Sequence, residues 1–158
     1  MLTKTKSLVA IGLATGLFLS GRSNLQAAAP GQTSFDGSWE VTLDAKEFKN
    51  PDGSKALPWA LQFPATIKNG SLHGERGTRG KSEFFELTGT VGTDGAANLR
   101  VDEITGSQKY NISESAKAPA GKGVSYSYQV VARFDGRRGT GRSTSDRRTR
   151  IFTFVKQG

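Results

Sequence analysis

The feature that most restricts this chain is a two-residue alternation of apolar and polar side chains, interrupted at intervals by Asx-Gly pairs. In Ser38 to Leu43, Trp39, Val41 and Leu43 fall on one face and Ser38, Glu40 and Thr42 on the other. Trp59, Leu61, Phe63, Ala65 and Ile67 repeat the pattern, as do Phe85, Leu87, Gly89 and Val91, then Ala97, Leu99 and Val101. The longest stripe is Val124, Tyr126, Tyr128, Val130, Ala132 and Phe134, and the last stretch sets Ile151, Thr153 and Val155 against Arg150, Phe152 and Phe154. A period of two is that of a half-buried β-strand, and no segment carries a helical stripe.

The Asx-Gly pairs are Asp36-Gly37, Asp52-Gly53, Asn69-Gly70, Asp94-Gly95 and Asp135-Gly136. Both residue types accept positive φ, which two-residue hairpin turns require, and three of the pairs separate clear strands. Seven or eight strands follow, with a weaker candidate at Gln108 to Ser113 and longer loops at 45–58 and 114–122. A meander of that size has two edges to protect, and closing on itself removes both. The expectation is an all-β fold, an antiparallel up-and-down barrel of about eight strands, with a two-sheet β-sandwich as the alternative.

Residues 1–28 read as a cleavable signal peptide: Lys4 and Lys6, an apolar run from Leu8 to Leu19, then the small residues Ala27 and Ala28. The run is about a dozen residues long, short of the ~20 that span a bilayer. Residues 29–158 are then expected to form one exported domain, periplasmic or extracellular. The chain has no cysteine, so packing alone must hold it, and a domain of this size buries roughly two-thirds of its surface on folding. A membrane barrel would need an apolar outer band, whereas Glu40, Glu83, Glu86, Arg100 and Asp102 occupy the second face.

Loss of Lys4, Lys6 and Arg22 would take the net charge from +8 to +5. The remaining excess is gathered late: Gly121 to Gly158 holds nine basic and two acidic residues. Arg133, Arg137, Arg138, Arg142, Arg147, Arg148 and Arg150 make up most of it. Guanidinium groups bind phosphate and carboxylate through paired hydrogen bonds, so neighbouring strands would concentrate a potential suited to anionic lipid or polysaccharide. Charged outer faces also serve to block strand pairing. Nucleic acid is a poorer fit, because the aromatics Tyr126, Tyr128, Phe152 and Phe154 read as core rather than as a stacking platform.

At Phe35-Asp36-Gly37-Ser38-Trp39 the chain resembles small exported bacterial proteins, mostly without assigned function, that open with a Phe-Asp-Gly-x-Trp strand. The ending Arg150-Ile151-Phe152-Thr153-Phe154-Val155-Lys156-Gln157 is similar to their last strand. Gly37-x-Trp39 also resembles the opening strand of lipocalins and avidins. That likeness implies an indole lying across a closed barrel end with a late arginine packed on it, Arg148 or Arg150.

Catalytic and metal chemistry find little footing. His73 is the only histidine, with no cysteine to join it, so no zinc or copper constellation of the usual kind can be read. Gly80-Lys81-Ser82 matches the end of a phosphate loop, but Glu75 stands where its first glycine belongs and a strand follows where a helix is needed. Asp102 and Glu103 are adjacent and point to opposite faces of a strand, unlike a glycosidase pair. No cofactor and no catalytic residue is expected.

The functional expectation is therefore a non-enzymatic binding barrel. Trp39, Trp59, Tyr126 and Tyr128 are the candidates for lining a small amphipathic ligand at the barrel mouth, although eight-stranded barrels often fill themselves with side chains. Arg137, Arg138, Arg148 and Arg150 are the candidates for an anionic envelope surface. An inhibitor or interaction module acting on a secreted or envelope enzyme is the alternative.

Overall fold

The computed structural model describes residues 33–49, 53, 55–104, 111–112, 123, 125–143 and 148–158. The expected leader, residues 1–28, and Arg147 lie outside the described residues. The strands are β1 (Gly37–Ala45), β2 (Phe48–Lys49), β3 (Lys55–Ala56), β4 (Trp59–Lys68), β5 (Ser71–Arg76) and β6 (Phe85–Val91). They continue with β7 (Ala96–Ile104), β8 (Asn111–Ile112), β9 (Ser125–Asp135), β10 (Arg138–Ser143) and β11 (Arg150–Lys156). No helix occurs among the described residues.

Eight strands close a barrel in the order β1-β11-β10-β9-β7-β6-β5-β4, every neighbouring pair antiparallel. Closure is made by β1, where Trp39 lies opposite Lys156 of β11 on one side and Ala65 of β4 on the other. The ring is continuous, so the fold is the barrel and not the sandwich. Strands β2, β3 and β8 form a separate three-stranded sheet. Its pieces come from the β1–β4 and β7–β9 connections, where the sequence pattern had indicated loop, apart from the weak candidate at Gln108 to Ser113.

The two ends differ because of where the turns fall. Asn69-Gly70, Asp94-Gly95 and Asp135-Gly136 join β4 to β5, β6 to β7 and β9 to β10, all at one end. At the first, Asn69 and Gly70 have φ of 51° and 71°, the pair of positive values that a type I′ turn needs to match strand twist. The same end is tied by Asp36, whose carboxylate accepts from the amides of Asn69 (2.6 Å) and Gly70 (3.1 Å) and from the Thr33 hydroxyl (2.9 Å). Slight burial opposes ionisation there, but these hydrogen bonds win and hold the Asp36 carboxyl below its ordinary value. The opposite end carries the long connections.

Inward-facing residues fill the interior. Trp39, Phe63, Phe134, Phe152, Phe154, Leu43 and Ile67 are all under 2% exposed. Trp39 meets Phe134 edge to face at 5.2 Å, and Phe134 meets Phe154 at 4.8 Å, arrangements the ring quadrupoles favour. Packing against β9 leaves little room on the inner face of β10, where Gly139, Gly141 and Ser143 stand. A Cβ at Gly139 would stand 2.9 Å from the Phe134 ring, which explains why this short strand alternates arginine and threonine outside with glycine inside.

Candidate functional site

At the long-loop end the core becomes polar. Glu103, in phase with Leu99 and Val101 on β7, points inward and is buried. Tyr126 of β9 donates its hydroxyl to Glu103 Oε1, and Arg150 of β11 donates to that same hydroxyl oxygen at 3.0 Å. The Arg150 guanidinium also lies over the Tyr128 ring at 4.4 Å and the Tyr126 ring at 5.6 Å. Arg148 donates from Nε to the Lys46 carbonyl at 2.8 Å and from a terminal nitrogen to the Leu57 carbonyl, and it stands over the Trp59 ring at 5.9 Å. Arg148 thereby pins the β1–β4 connection to the barrel rim.

The electrostatics follow from burial. Removal from water raises the Glu103 carboxyl above its ordinary value, against the pull of Tyr126 and Arg150. Burial, then the Glu103 charge, pushes the Tyr126 and Tyr128 phenols up. The Tyr128 hydroxyl adds a weaker pull on the Glu103 carboxylate, which in turn helps to raise that phenol. Beside the cluster an open depression of about 380 Å³ is lined by Arg79, Phe84, Asp102, Glu103, Ile104 and Tyr126, among others. Asp102 faces outward, where Arg100 grips it at 2.9 and 2.8 Å, so the adjacent acids form no pair.

The outer wall of β9, β10 and β11 has a different character. Val131, Ile151 and Val155 are 54%, 36% and 42% exposed, the large exposed hydrophobics among the described residues. Strand register sets them in rows with the arginines. Arg142 lies between Val131 and Ile151, Thr140 between Arg133 and Thr153, and Arg138 between Asp135 and Val155. Arg137 extends the wall at the turn, donating to the Lys156 carbonyl at 3.1 Å. Arg133 is 3.7 Å from Asp94, with both side chains 67% exposed, and exposed pairs of this kind hold weakly. On the β11 side the wall ends at Glu40 and Asp44 of β1.

The eight residues singled out from sequence are thus divided among three places. Trp59, Tyr126, Tyr128, Arg148 and Arg150 meet at the long-loop end. Trp39 is 1% exposed at the tight-turn end, its indole donating to the Phe35 carbonyl at 2.9 Å, and it presents no surface to a ligand. Arg137 and Arg138 are exposed on the outer wall. Two expectations are corrected. Arg148 and Arg150 are 9% and 5% exposed, and so do not join Arg137 and Arg138 in a surface patch. Nor does either pack on Trp39, because both lie at the far end; the cation above that indole is Lys156, at 5.9 Å.

Glu103 was missed as a member of the cluster, though its phase with Val101 carried the signal. Val131, Ile151 and Val155 were also missed as surface features, because their residue types read as core. No protein-family model matches the chain, and no curated protein or solved structure gives a significant match to it.

Proposed function

We propose that this is an exported, non-enzymatic barrel that docks on anionic phospholipid surfaces through the outer wall of β9, β10 and β11. One observation carries the reading: Val131, Ile151 and Val155 sit interleaved with Arg133, Arg138 and Arg142 on that wall. Three exposed β-branched aliphatics on one wall, each beside an arginine across the ladder, combine apolar surface with positive charge, the pairing that a lipid surface with anionic head groups can satisfy. Arginine forks suit phosphate oxygens, and each basic residue held near an anionic membrane contributes about 1 kcal/mol. An acidic polysaccharide would use the arginines but leave the aliphatic side chains without a partner. The signal-like order of residues 1–28 supports an envelope address.

The test is co-sedimentation of the protein with vesicles of phosphatidylcholine alone or mixed with phosphatidylglycerol. Binding is expected only to the anionic mixture and to weaken as salt screens it. Arg138→Glu with Arg142→Glu should abolish it, and Ile151→Ser with Val155→Ser should weaken it at every salt concentration. Equal binding by the charge-reversed variant, or none by the unmodified protein, rejects the reading.

A further inference from the structure

On the far side of the ring from β10, strands β5 and β6 bring together His73, Glu75 and Glu86. His73 and Glu75 are two residues apart on β5 and share the outer face, while Glu86 lies directly opposite Glu75 across the ladder. Their ligand-capable atoms all fall within 4.8 Å of one another. His73 Nε2 is 3.3 Å from Glu86 Oε1 and 3.9 Å from Glu75 Oε2.

From this geometry we infer a binding site for one divalent transition-metal ion, held by one imidazole nitrogen and two carboxylate oxygens, with water completing the shell. Metal–ligand bonds of about 2.0–2.2 Å place neighbouring donors on the order of 3–3.5 Å apart. The His73–Glu86 spacing already meets this. Glu75 closes the remainder by rotating a side chain that is 54% exposed.

A second observation points the same way. Two carboxylates placed directly opposite on adjacent strands repel, and among the described residues no lysine or arginine is ion-paired with Glu75, whose carboxylate has the His73 imidazole 3.9 Å away. Arg79 neutralises only Glu86, pairing with the same Oε1 that faces His73. It does so from the β5–β6 connection with a side chain 69% exposed. A metal ion would serve both carboxylates at once and displace Arg79, which can withdraw to solvent or remain over the Phe84 ring, 5.2 Å away. Mixed imidazole and carboxylate donors without sulfur suit Cu²⁺ above Ni²⁺ and Zn²⁺, by the usual order of divalent affinities. The site stands apart from the membrane-docking wall and does not depend on it.

The experiment is titration of the untagged, chelator-stripped protein with Cu²⁺, read by calorimetry and by electron paramagnetic resonance. One ion per chain with coupling to an imidazole nitrogen is expected. His73→Asn should lose that signal, Glu75→Gln should weaken binding, and Arg79→Ala should tighten it several-fold by removing the competing cation. Retention of the signal in His73→Asn, or unchanged affinity in Arg79→Ala, overturns the site. His73 is exposed on the outer wall and Arg79 in the β5–β6 connection, so the barrel is expected to fold in each variant, and an altered circular dichroism spectrum would transfer the same comparison to Glu75→Gln.

Discussion

Glu103 and Arg150 occupy inward positions that their neighbours on β7 and β11 fill with valine, leucine and phenylalanine. Such groups persist in a core only when paired and hydrogen-bonded, and here Tyr126 links them. Alternation alone assigns both to the inside, Arg150 through its phase with Phe152 and Phe154. Residue type argues the opposite, and the sequence reading followed type when it put Arg150 on the surface. The buried carboxylate has a measurable consequence. Because burial raises Glu103 from 4.5 in the folded state, the folded protein binds more protons than the unfolded chain. Its contribution is greatest below that value and declines as pH rises through the folded one. Glu103→Gln removes the decline, so urea unfolding should show its stability relative to the unmodified protein improving from acid to neutral pH. A difference that does not vary with pH would contradict the assignment. Asp36 has the opposite sign, since its lowered value costs stability as pH falls.

The eight barrel strands were legible because each is long enough to show its period and three hairpins carry Asx-Gly. Strands β2 and β3 were not, since two residues have no period to read, and β8 was marked only by the weak candidate at Gln108 to Ser113. What holds their surroundings is long-range: Arg148 reaches the carbonyls of Lys46 and Leu57 from more than ninety positions away. No local signal in the sequence marks such a contact. Arg148→Met should therefore loosen the β1–β4 connection selectively. Hydrogen exchange of the amides around Lys46 and Leu57 should accelerate, while those of β6, β7 and β9 keep their protection. Arg148→Lys should restore little, because a single ammonium cannot present the two directed donors of the fork. Unchanged exchange near Lys46 and Leu57 would remove Arg148 from this role.

At the scale of the whole molecule, the described residues form a barrel packed with apolar side chains, one end closed by tight turns and the other finished by a buried polar cluster. Its distinguishing surfaces are therefore on the outside wall, in two places facing away from each other. The cationic and aliphatic wall was half legible: the late gathering of arginine is plain in the sequence, but only strand register shows which arginines stand beside Val131, Ile151 and Val155. Because the chain contains no cysteine, single cysteines carrying an environment-sensitive fluorophore can be placed at Ile151 and Val155 on the docking wall and at Thr90 on β6. On phosphatidylglycerol-containing vesicles, the probes at Ile151 and Val155 are predicted to shift to the blue as they enter the apolar phase, with Thr90 unchanged. A shift at Thr90, or none at Ile151 and Val155, would contradict docking through this wall.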